Sequence, residues 1–255
     1  MNRLLPILGA ALALFLSLSS CKGRENKPVF DLQIVEVKDS VIHHTANGES
    51  VARISFRYKL FTASGENAEK AGRINRQILD GIFSGYKMPV TYPVRPDNPL
   101  GAAEEYLGEL ARQMLIRFYS KSKDDGPSLE TTSFVGRPLA VKNEMISFMA
   151  RYSHSADGLQ SPVRDYGLVI DASQAKRLGA NDVFVDGYKE PICEMLGIDL
   201  DIFDYMEDNF LFDNEGFCWI LNYITSDPEQ HTLTWEQVLP YLRKDLPWGS
   251  LTTGN

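Results

Sequence analysis

The chain has 255 residues, 44% hydrophobic and 24% charged, with 19 Gly and 13 Pro, proportions that fit a globular protein and exclude wholly disordered, collagenous or coiled-coil chains. Lys and Arg number 26 against 34 Asp and Glu, a formal charge of −8, so nucleic-acid phosphates have no general electrostatic reason to bind and no nucleic-acid partner is expected. Without its leader the chain is long enough for one large core or two small lobes at about 100–200 residues per domain.

Arg3 precedes an apolar run from Leu4 to Leu18, which Ser19 and Ser20 close too early to cross about 30 Å of hydrocarbon. Residues 1–20 therefore read as a secretory signal peptide. Leu18-Ser19-Ser20-Cys21 resembles the lipobox of bacterial lipoproteins. The resemblance implies that Cys21 becomes the first mature residue, with a diacylglyceryl group on sulfur and a fatty acid such as palmitate on its amine. Three acyl chains hold a domain at a membrane where one would not. Residues 21–28 then form a polar, lipidated tether whose only acid is Glu25, which favours a periplasm-facing address in the bacterial cell envelope.

From Phe30 to Val41 and from Val51 to Phe61 apolar and polar residues alternate, predicting two strands joined across Asn47-Gly48. Ala71, Ile74, Ile78 and Ile82 then mark a helix over 67–83, with Gly85 as its stop. Four prolines between Tyr86 and Pro99 make a long loop, and a second helix starts at Asn98-Pro99 and runs to Lys121 and Lys123 before Gly126-Pro127. Strand patterns return at 129–135, 141–153 and 163–171, short helices at 185–196 and 200–206, and a hairpin between Asn209–Phe212 and Phe217–Leu221. Thr234 and Gln237 form a capping pattern for a final helix through Leu242. The expected class is α+β, an antiparallel sheet with helices packed on one face, with an N-terminal lobe (29–126) and a C-terminal lobe (127–246) in one compact unit.

Several strings resemble a family of extracytoplasmic domains of unassigned function, found at the C-terminus of the lysozyme-sensing anti-sigma factor and as an accessory module of peptidoglycan deacetylases. They are Ile74-Asn75-Arg76-Gln77-Ile78, Asn143 to Phe148 with Tyr152, Tyr166 to Asp171 followed by Asn181 to Phe184, and the closing hairpin with Trp235 to Leu242. The family's Gly-Ala-His-Gly turn is replaced by Ser153-His154-Ser155-Ala156-Asp157-Gly158. The resemblance implies a binding module occupied with the cell wall, whose partner is a basic, lysozyme-like protein or peptidoglycan.

The residues themselves leave several chemistries to weigh. Tyr86, Met88, Tyr92 and Arg95 in the proline-rich loop are types enriched at interfaces, though the loop equally suits a lid packed over the helix–sheet seam. His154 and Asp157 could form a base and its orienter, which would make the chain a hydrolase of envelope polymers, yet no nucleophile motif accompanies them. A structural lipoprotein is a further alternative. Adjacent His43 and His44 point to opposite strand faces, and the acids Asp199, Asp201, Asp204, Glu207 and Asp208 miss the calcium-loop spacing, so neither a metal nor a cofactor is expected. An oxidising compartment permits a disulfide between Cys193 and Cys218, while their apolar flanks equally suit two buried thiols.

Overall fold

Strand β1 (Gln33–His44) pairs antiparallel with β2 (Ser50–Thr62), and the alternation of the sequence is the alternation of burial: Ala52, Ile54, Phe56, Tyr58 and Leu60 turn into the core while Arg53, Arg57 and Lys59 turn out. The computed structural model describes residues 32–44, 50–119 and 130–250. The leader, Cys21 and the tether, the Asn47-Gly48 turn and the stop at Gly126-Pro127 lie outside those residues.

Helix α1 (Glu66–Phe83) buries Ala71, Ile74, Ile78 and Ile82. Its Asn75, fully buried, accepts from Phe61 N at 2.9 Å and donates to Phe61 O at 2.8 Å, tying the helix to the end of β2. The helix ends at Phe83 in a 3-10 turn, and the left-handed residue that reverses the chain is Lys87 (φ 48°), not the expected Gly85. Helix α2 (Pro99–Tyr119) starts as predicted, with Asn98 Oδ1 accepting from Gly101 N at 2.9 Å. Both helices cover one face of the sheet around Phe56, Phe83 and Phe134, whose rings lie 5.0–5.7 Å apart.

Beyond α2 come β3 (Glu130–Lys142), β4 (Met145–Ala156), the two-residue β5 (Leu159–Gln160), β6 (Arg164–Asp171) and β7 (Lys176–Leu178). The large sheet runs β1-β2-β3-β4-β6-β7, with β5 paired to β4. The fold is α+β, but the all-antiparallel expectation needs correction, because β2 and β3 are parallel. Two helices separate these strands, and a crossover over one face of a sheet returns the chain in its original direction.

Helices α1 and α2 occupy that one face only. Against part of the other packs a second sheet, β10-β9-β8, made of β8 (Phe210–Phe212), β9 (Gly216–Leu221) and β10 (Glu229–Thr234). Leu211, Cys218 and Ile220 meet Leu139 and Met149 there, and Phe212 N donates to Ser147 Oγ at 3.0 Å. Short helices α3 (Ala180–Val183), α4 (Lys189–Leu196) and α5 (Leu200–Met206) close a second core around Phe203, Phe217 and Trp219. The last helix, α6 (Trp235–Val238), has the expected Thr234–Gln237 capping box but stops short of Leu242 in a 3-10 turn. Pro240 accounts for that, since it has no N–H and its ring crowds the carbonyl four residues back.

Candidate functional site

The proline-rich loop folds back over α1 and α2. Tyr92 is buried with its ring 5.4 Å from that of Tyr106, and burial raises its hydroxyl above the ordinary tyrosine range. Tyr86 packs on Phe83 and Phe134, and Arg117 donates to the Tyr86 carbonyl at 2.8 Å and reaches the Met88 sulfur at 3.9 Å. Arg95 is held by Glu105. Of the four residues singled out in this loop, three are packing residues. Tyr92 and Arg95 line a cleft of about 220 Å³ with Arg73 and Arg76, but each arginine there has a carboxylate partner.

His154 lies on β4, opposite Thr132 of β3, with Nδ1 3.1 Å from Thr132 Oγ1 and Nε2 3.9 Å from a Glu130 oxygen. Asp157 sits at the tip of the β4–β5 turn with φ 50°. The loop and this turn do not meet at one concave surface: His154 and Asp157 are absent from the walls of the loop cleft. The two cysteines are free and buried in separate cores, so the disulfide reading gives way to the buried-thiol one. Burial pushes both thiols up from their usual range, which disfavours the nucleophilic thiolate.

A larger cleft, about 430 Å³, opens at the far end of the large sheet between α1, β6, β7 and α5. Its construction is polar. Asn209 accepts from Gly167 N at 2.7 Å and donates to the carbonyls of Asp165 and Ile220, while Asn222 accepts from Asp165 N and donates to Asp165 O. These two amides stitch β6 to the second sheet. Gly167 permits the approach, because a Cβ there would lie 2.7 Å from the carbonyl carbon and oxygen of Phe210.

The floor of the cleft holds Arg177, whose stem lies against Gly81 and whose backbone N–H donates to Gln77 at 3.2 Å. Burial lowers its guanidinium from the ordinary value, with the Asp208 charge opposing the shift. The rim carries Asp204, Glu207 and Asp208, together with Tyr205, which is 87% exposed. Lys189 bridges Asp204 and Glu207, both at 2.8 Å, and Tyr188 donates to Glu207. Asp208 accepts from Ala180 N at 2.8 Å. The acidic run thus serves ion pairs and a helix start, and among the described residues no three His, Cys, Asp or Glu side chains are grouped to hold a metal.

The fold built around this cleft is shared with solved proteins of the DUF3298 family. One, from Bacteroides fragilis, superposes with a TM-score of 0.64 at 15% identity, covering 88% of this chain and 98% of that one. Another, from Pseudomonas aeruginosa, gives 0.54 at 10% identity over the same shares. No protein-family profile and no curated protein matches the sequence. At such identities the likeness establishes the fold alone. Among the described residues no helix is long and apolar enough to cross a membrane.

Sequence reasoning missed Arg177, Tyr205, Asn209 and Asn222, which come from β7, α5 and the ends of β8 and β9. Their one local signal was a tyrosine set within an acidic run.

Proposed function

We propose that this chain is a lipid-anchored, non-enzymatic binding domain of the bacterial cell envelope, and that the cleft beside α5 is where it meets a basic envelope protein such as a lysozyme. One observation carries the reading. Residues 186–208 hold eight carboxylates (Asp186, Glu190, Glu194, Asp199, Asp201, Asp204, Glu207, Asp208) against a single cation, Lys189, and three of those carboxylates, Asp204, Glu207 and Asp208, line this cleft with Arg177. Such a field steers cationic partners and raises their association rate. Tyr205 offers an exposed aromatic anchor at the rim.

The lipobox-like leader supports the membrane address. The hydrolase alternative has no observation in its favour, because His154 lines neither cleft and its ring nitrogens face Thr132 and Glu130.

The test is titration of a basic lysozyme, and separately of peptidoglycan sacculi, against the purified domain at low and high salt. Lysozyme binding that weakens with salt and falls about tenfold or more in a Tyr205→Ala, Asp204→Asn variant supports the proposal. Dissociation constants weaker than about 1 mM for lysozyme would remove it, and tight binding to sacculi alone would reassign the site to glycan.

A further inference from the structure

The second sheet covers the outer face of the large one over β6 and over the Leu139 end of β3 and the Met149 end of β4. Over β1, β2, the first half of β3 and the second half of β4 no other element among the described residues covers that face, and its composition is opposite in sign to the rest of the chain. Arg53, Arg57, Lys59 and Arg137 are exposed and, among the described residues, form no ion pair. Lys38 and Arg151 lie on the same face, held by Glu36 and Asp165. Register stacks these charges into rows. Lys38 is opposite Arg57, Arg57 opposite Val135, and Val135 opposite Arg151, so one line across four strands carries three cations.

The neighbouring line is Ser40, Ser55, Ser133 and Ser153, four hydroxyls in register on the same four strands. Like charges directly opposite each other weaken a strand pair, so the fold gains nothing from placing Lys38 against Arg57. A row of serines contributes no apolar area that another element could bury.

We propose that this bare face seats on the anionic phosphate headgroups of a lipid bilayer. Unpaired cations and short hydroxyls are the groups that bind phosphate oxygens, and here they spread over a surface about 15 Å wide at 4.8 Å per strand, without groove walls. That shape fits a plane better than a single extended polymer. The chain also brings the face to such a plane: ten residues separate Cys21 from Leu32, a reach of at most about 40 Å, and they lead into β1, the edge strand of this same face. The acidic cleft lies beside β6 and β7, toward the opposite edge of the sheet, so the charged poles orient the domain with its cleft directed away from the membrane.

The orientation rests on the anchored reading, but the headgroup contact is tested without it. The chain from Lys22 onward, which carries no lipid and retains every described element, is sedimented with vesicles of phosphatidylcholine alone and with vesicles containing phosphatidylglycerol. Binding to the anionic vesicles only, lost as salt rises, is the expected result. The variant Arg53→Gln, Arg57→Gln, Lys59→Gln, shown folded by circular dichroism, should lose about 100-fold in partitioning, near fivefold per charge. Equal binding to both vesicles, no binding at low salt, or an unchanged variant overturns the proposal. So does capture by soluble inorganic polyphosphate with no vesicle binding. Mass analysis of Cys21 in native membranes judges the anchor separately, so either idea can fail while the other stands.

Discussion

Arg151 and Asp165 face each other across β4 and β6 in a two-pronged ion pair, with Nε and one terminal nitrogen each 2.7 Å from a carboxylate oxygen. The two ends differ in environment: the Asp165 side chain is fully buried, while that of Arg151 is 52% exposed. Asp165 also gives its backbone N–H and carbonyl to Asn222. Replacing Arg151 with Ala strands a buried carboxylate, and urea unfolding should show a loss of about 3–5 kcal/mol. The double variant Arg151→Met, Asp165→Leu should recover most of that loss.

Asn75 satisfies both backbone groups of Phe61 at the end of β2. In Asn75→Ala an N–H and a C=O are left buried without partners, at about 1–3 kcal/mol each. The denaturant midpoint should fall accordingly, and amide exchange should quicken at Phe61 first.

Gly167 faces the Phe210 backbone with no room for a methyl group. The atoms in the way belong to main chain, so Gly167→Ala must push the second sheet off β6 rather than rotate a side chain. Trp219, fully buried in that layer, should report the displacement as a red-shifted emission in the folded variant. Gly72→Ala is the control, because there the nearest atom is Pro99 Cβ at 3.6 Å.

Cys193 and Cys218 are buried thiols whose ionisation burial suppresses. A thiol reagent at pH 8 should modify neither in the native protein and both in guanidinium, and reduction should leave stability unchanged.

Lys189 between Asp204 and Glu207 has its ammonium pKa raised, chiefly by hydrogen bonding to Asp204 and then to Glu207. A raised folded-state pKa adds stability that is complete below the unfolded value, about 10.4, and lost as pH climbs through the folded one. Lys189→Gln should therefore be less stable than the parent at neutral pH, with the difference closing in strong alkali. It also removes the only cation of the acidic segment, and association with a basic lysozyme should become faster.

What the sequence made legible was local. The α1 stripe, the Asn98-Pro99 start, the Thr234–Gln237 box and the hairpin around Asp213 to Gly216 are all set by residues within a few positions of one another, and the structure has each. Strand β10 escaped notice because only Leu233 of Glu229–Thr234 is buried, so its alternation has no apolar contrast. The parallel β2–β3 pairing escaped because direction is fixed by the path of two helices, not by the strands. The cleft was hidden for the same reason: Arg177 and Tyr205 become neighbours only when β7 and α5 meet at the sheet edge. The loop aromatics misled in the other direction, since Tyr92 has the composition of a contact residue and the burial of a core one.

The parallel ladder also dictates an order of assembly. Ala52 must find Glu130 across nearly eighty residues of chain, whereas β1 with β2 and β3 with β4 need only close short turns, so the two hairpins form early and their union comes late. Until then the inner edge of β2 stands open with unsatisfied amides on a strand of thirteen residues, a template for pairing with other chains. A polypeptide that emerges from a translocation pore front end first would expose that edge until its second half arrives, which makes this interval the one in which a holdase chaperone would matter most.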